Sequence, residues 1–86
     1  MDPADRLWRF RRRRADYKAV FEAAPAGRRV LADLRRFCLM DAAIEGPTVE
    51  RTHVNVGQRN VFLHIARCLA LDPDALEKLT RSTEDE

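Results

Sequence analysis

The stretch Arg28-Arg29-Val30-Leu31-Ala32-Asp33-Leu34-Arg35-Arg36-Phe37-Cys38-Leu39-Met40 decides the fold class. Val30, Leu31, Leu34, Phe37 and Cys38 fall at i, i+1, i+4, i+7 and i+8, the spacing of one apolar face on an α-helix. A core helix is predicted from Arg28 to about Met40. It is entered through Ala24-Pro25-Ala26-Gly27, because proline disfavours helix at the residue before it and can open the next one. Arg28, Arg29, Arg35 and Arg36 stand on the other faces as a solvated surface, and Asp33 lies at helical spacing from Arg29 and Arg36.

Upstream, Asp2-Pro3 is a helix start: the carboxylate accepts from orphan amides, and proline fits the first helical position. That helix is predicted to run to about Ala23, with Leu7, Phe10, Tyr17, Val20 and Phe21 on its inner side and Trp8 one residue off the stripe. Arg13 and Arg14 break the stripe. They leave Met1 to Arg14 poor in core residues and a candidate for a projecting basic helical arm. Downstream, Gly46-Pro47-Thr48 marks an exposed loop between Asp41 and Arg51. A third helix is expected from near Thr52 to about Leu71, burying Val61, Phe62, Ile65, Ala66, Cys68 and Leu69. Its polar first turns include Gly57, which costs about 1 kcal/mol relative to alanine and implies a close-packed neighbour. Asp72-Pro73 starts a short helix to about Leu79, with Leu76 and Leu79 inward, and residues 82 to 86 read as an acidic tail. The expected architecture is all-α: a single domain, 1 to 86, built as a small bundle of three main helices plus a short C-terminal helix.

Composition supports this reading. Helix formers dominate, β-branched runs are absent, and 45% of residues are hydrophobic against 35% charged. No apolar stretch is long enough to span a membrane, and the N-terminal residues are charged, so a soluble product is expected. Cys38 and Cys68 fall on apolar helix positions, as reduced core thiols do. Charge is unevenly spread. Residues 1 to 36 carry 11 basic and 5 acidic side chains, net +6, while residues 37 to 86 carry 5 and 9, net −4. Such a dipolar molecule points to an anionic partner for its first half.

Catalytic chemistry leaves little trace. His64 and Cys68 at i, i+4 are the best-placed metal ligands, with Cys38 and His53 to complete a zinc-type set. Structural zinc sites carry paired short spacings such as C-x2-C, which are absent here, so core thiols and a half-buried or surface histidine are the expected reading. No nucleophile constellation or phosphate-binding glycine loop emerges, and Gly27 before Arg28 and Arg29 is at most a weak anion site. Neither catalytic residue, metal nor cofactor is assigned, and the chain is expected not to be an enzyme. Trp8, Arg9, Phe10, Arg11, Arg12, Arg13 and Arg14 could place guanidinium groups on phosphates and rings on bases; equally, the arginines could pair with acidic residues of a partner subunit or with the chain's own acidic half. A helix-turn-helix fits worse, since about ten loop residues separate the central helices where that motif uses a three- to four-residue turn. Asn55, Gln58, Arg59 and Asn60 form a second candidate patch for a partner, with the alternative that Gln58 or Asn60 satisfies the backbone of the Asp41 to Arg51 loop.

Several of these segments carry a family resemblance. Asp16-Tyr17, Val20-Phe21, the run Gly27-Arg28-Arg29-Val30-Leu31-Ala32-Asp33-Leu34, Phe37-Cys38, and Asn55-x-Gly57-Gln58-Arg59-Asn60-Val61-Phe62-Leu63 resemble a small family of tailed-phage and prophage proteins. The type member of that family comes from a Bordetella phage. The resemblance spans about residues 16 to 71; Val56 and Gln58 depart from the family's usual acidic and basic residues, and the arginine run lies outside it. The family has no established activity and is encoded among virion structural and morphogenesis genes near the portal. The resemblance therefore implies a non-enzymatic component of the phage particle, portal- or tail-associated or an ejected internal protein, located in the virion and, during assembly, in the host cytoplasm. Its implied partners are other phage structural proteins, through a homo-oligomer or a ring, with a nucleic-acid-binding accessory role for the arginine-rich helix as the alternative.

Overall fold

A computed structural model describes residues 2–84 of the chain, with side chains through residue 81; Met1, Asp85 and Glu86 lie outside the described residues. Four α-helices follow in order: α1 (Pro3–Lys18), continued by a π-helical turn (Ala19–Ala23), then α2 (Pro25–Phe37), α3 (Val49–Leu69) and α4 (Pro73–Glu84). The fold is all-α. Both caps anticipated from Asp-Pro pairs form, with Asp2 accepting from Ala4 N at 3.3 Å and Asp72 from Ala75 N at 2.8 Å. α3 begins three residues earlier than expected because Thr48 caps it, its hydroxyl accepting from Arg51 N at 3.1 Å. α4, the short C-terminal helix, starts at Pro73 as expected but runs past Leu79. It continues to Glu84, through most of the segment read as an acidic tail.

The core gathers Leu31 and Cys38 of the α2 region, Phe62, Ile65 and Leu69 of α3, and Leu76 of α4, with Tyr17, Phe21, Leu34, Met40, Ala66, Leu71 and Leu79 packed around them. Phe62, Leu31 and Leu69 are the fully buried anchors. Cys38 and Cys68 are both buried free thiols. Two of the five residues of the predicted α2 face are outside this core, since Val30 and Phe37 are exposed while Leu31, Leu34 and Cys38 turn inward. The same holds for Val61 on α3 and for Leu7, Phe10 and Val20 upstream. A chain this small can bury only the centre line of each apolar stripe.

What sets the helix arrangement is the reversal between the π turn and α2. A Cβ built on Gly27 would lie 1.6 Å from the Val20 carbonyl oxygen and 2.7 Å from its carbon. No side chain fits there. Backbone meets backbone across the chain reversal, and Arg28 strengthens the join by donating from Nη1 to Glu22 O at 3.0 Å. α2 and α4 then pack closely, α1 crosses α3, and α2 touches α3 more sparsely. Gly57 is the opposite case. Nothing lies within 4 Å of a Cβ built there, so the close neighbour expected from its presence does not exist among the described residues.

These two glycines give opposed expectations in urea denaturation. Gly27→Ala should lower stability by about 3 kcal/mol or more, the upper range for forced overpacking, because a backbone carbonyl cannot rotate aside as a side chain can. Gly57→Ala should raise the stability by up to about 1 kcal/mol, the propensity difference in an open helix position.

Candidate functional site

α1 exists as a helix for local reasons. It has a capped start, an acidic Asp5 in the first turn and Lys18 in the last, each complementing the helix dipole. It buries none of its residues. Leu7, Trp8 and Phe10 remain at least half exposed amid the arginines, and the Arg12 guanidinium lies 5.2 Å from the Trp8 ring centre. That cation–π contact, worth about 0.5–1 kcal/mol at an exposed site, covers one face of the indole and holds both side chains in a fixed relation. Arg9, Arg11, Arg13 and Arg14 are exposed without a carboxylate partner among the described residues.

The first helix does not stand clear of the domain along its whole length. Tyr17 meets His64 of α3 edge-on at 6.2 Å and Phe21 at 6.1 Å. Phe10, Arg13 and Arg14 border a notch completed by His64, Arg67 and Cys68. His64 Nε2 and Cys68 Sγ are 3.6 Å apart, so the i, i+4 pair does share a face. Cys38 and His53 do not join it: among the described residues no group of three or more metal-ligating side chains converges.

The second patch divides. Asn55 is 7% exposed and donates from Nδ2 to Ile44 O at 2.8 Å, and Arg59 Nη2 donates to Leu39 O and Ala42 O, both at 2.6 Å. These two side chains hold the α2–α3 loop against α3 and are not an open partner surface. The intramolecular alternative is correct in kind but names the wrong residues, since Gln58 and Asn60 are not the ones that bond the loop. Spacing carried the signal: Asn55, Arg59, Phe62, Ile65 and Leu69 continue one inward stripe at i, i+4, i+7, i+10 and i+14. Leu39 adopts a left-handed backbone, φ 62°, a conformation costly for a branched residue that the Arg59 bond to its carbonyl helps retain. Thr52 completes the loop's attachment by accepting from Gly46 N at 2.9 Å while donating to Thr48 O at 3.1 Å.

Arg35, expected on a solvated face, is instead a junction. Its Nε and Nη2 hold the Asp41 carboxylate in a two-bond fork, each at 2.9 Å, and Nη1 reaches the buried Thr80 hydroxyl at 3.4 Å. Three segments, α2, the turn after it and α4, are joined by one guanidinium. The fork holds the Asp41 carboxyl below its ordinary range.

Comparison with known proteins locates these features. A family model described as Bbp19-like phage protein matches residues 17–81. The chain belongs to that family. The match begins at Tyr17 and takes in α2, α3 and α4 through Arg81, ten residues beyond the expected span. The matched stretch contains Gly27, the Arg35–Asp41–Thr80 junction and the Asn55–Arg59 loop clamp of this chain, and leaves the arginine-rich part of α1 outside. No curated protein and no solved structure matches significantly. No helix among the described residues is long and apolar enough to cross a membrane.

Arg59→Met should destabilise the domain by about 2–4 kcal/mol, since two carbonyls lose a charged donor, and hydrogen exchange should accelerate first at residues 39–47. Asp41, with its folded-state pKa depressed, contributes stability at neutral pH that fades as pH falls below the ordinary carboxylate value of about 4. Asp41→Asn should lower stability at pH 7 and flatten the acid limb of a stability–pH curve, by a modest amount because the carboxylate is 63% exposed.

Proposed function

We propose that this Bbp19-like protein is a non-enzymatic component of a tailed-phage particle, associated with the portal or tail or carried inside as an ejected protein, and that it acts through protein–protein contacts. The observation that carries this reading is the balance of apolar surface. Among the described residues, ten large hydrophobic side chains stay 40–68% exposed, spread over α1, the π turn, α2 and α3, against eight buried hydrophobic residues. Single exposed hydrophobics are ordinary; an outside richer in large apolar groups than the inside is what a subunit shows before its neighbours cover it. The best-placed contact surface is Trp8, Phe10 and the arginines from Arg9 to Arg14. There, apolar anchors and guanidinium forks sit together, the residue types enriched at the centres of interfaces.

A second reading has its own observation. Arg9, Arg11, Arg13 and Arg14 of α1 are exposed and lack carboxylate partners among the described residues, which is how a helix that neutralises phosphates stands before it binds. In that case the protein is a small nucleic-acid-binding accessory, and partner rather than fold distinguishes the two.

Quantitative mass spectrometry of purified particles, before and after genome release and scaled to the portal, decides the first reading. Presence in full particles at a fixed ratio is the expected result, and absence from both full and emptied particles overturns it. For the second reading, duplex affinity should fall steeply with salt; binding that is absent at low salt or indifferent to it removes nucleic acid as a partner.

A further inference from the structure

Where α1 crosses α3, a notch of about 140 Å³ opens between Phe10, Arg13 and Arg14 of α1 and His64, Arg67 and Cys68 of α3. Three guanidinium groups and an imidazole line it, and no carboxylate does. Arg13, Arg14 and Arg67 make neither an ion pair nor a hydrogen bond among the described residues, although carboxylates elsewhere on the chain are taken up by Lys18, Arg35 and Arg81. The floor is different in character: Cys68 is 8% exposed with its sulfur 3.6 Å from His64 Nε2, and Phe10 supplies an apolar wall.

Like charges drawn from two helices repel one another, and the crossing holds them together without an internal counter-charge. A tetrahedral oxyanion answers that arrangement better than a single carboxylate does. It offers oxygens in several directions to guanidinium forks, whereas one carboxylate is satisfied by one fork. The site is also a tertiary product, since Arg67 and His64 reach it from α3 and only the helix crossing brings them to Arg13 and Arg14.

We propose that this notch binds a phosphate group through Arg13, Arg14 and Arg67, with His64 beside them, and that the phosphate belongs to the backbone of a nucleic acid. The inference rests on the nucleic-acid reading for the source of the phosphate and not for the site itself. It gives an arginine-rich helix, otherwise a diffuse electrostatic surface, one seat where a phosphate is fixed in register.

The test uses the full chain, followed by NMR at the His64 ring and the Arg67 amide, at constant ionic strength. It is titrated with pyrophosphate, with a single-stranded oligothymidylate of a dozen nucleotides, and with hexaglutamate. Pyrophosphate and oligothymidylate should each give saturable shifts centred on His64, and Arg67→Gln should weaken both by about tenfold, the loss of one charge-assisted contact. Arg67 is exposed and lies on a helix, so the variant's circular dichroism should match the parent. Lys78→Gln, an equal loss of charge at an exposed position of α4 outside the notch, should leave pyrophosphate affinity within about twofold. Pyrophosphate binding that ignores Arg67→Gln, shifts spread along α1 without saturation, or equal affinity for hexaglutamate each overturn the site. Oligothymidylate binding insensitive to Arg67→Gln removes the notch and keeps the nucleic-acid reading. Pyrophosphate binding at His64 without oligothymidylate binding keeps the site and removes nucleic acid as its source.

Discussion

Gly27 pressed against the Val20 carbonyl is the constraint from which the arrangement of this domain follows. A helix that must double back within two residues has no room for a linker, and here the reversal is made by widening the last turn of the first helix into a π turn and laying α2 directly upon it. With any side chain at that position the two backbones would separate. α2 would then lose its angle to the π turn, Leu31 its place opposite the α3 and α4 side chains, and α1 its crossing over α3. The notch between Arg13, Arg14 and Arg67 depends on that crossing.

Given so few residues, apolar burial alone cannot hold the remaining segments, and charged side chains take over. Arg35 joins α2, its following turn and α4 through Asp41 and Thr80; Arg59 and Asn55 fasten the α2–α3 loop to α3. A guanidinium suits this work because its five donors form a rigid fork that can satisfy two carbonyls or a carboxylate at once, with the long stem packed alongside. The arrangement has a cost visible in the structure, since Arg59 Nε and Asn55 Oδ1 are buried without a partner among the described residues.

The same economy shapes the outside. The Cα radius of gyration is 14.9 Å, against roughly 12 Å for a compact domain of this length, and the molecule is 46 by 37 Å but only 19 Å deep. Two helix layers fill that depth. A flat body exposes both faces of its apolar helices, which is why Val30, Phe37 and Val61 lie in water although each belongs to a periodic stripe.

The sequence by itself determined the helices. Periodicity placed α2 and the second half of α3, and two Asp-Pro pairs placed the starts of α1 and α4, because caps and proline act on the nearest turn and need no distant partner. The tailed-phage resemblance was also written locally, in Gly27 to Leu34 and Asn55 to Leu63. Tertiary structure alone decided which half of each apolar stripe is buried, since that depends on what the helix meets. It decided that Arg35 and Arg59 serve the interior and that Gly27, rather than Gly57, is the glycine the fold requires. It also brought Arg67 and His64 to Arg13 and Arg14. Each of these is a meeting of residues far apart in the chain, fixed by helix crossings that no local pattern encodes.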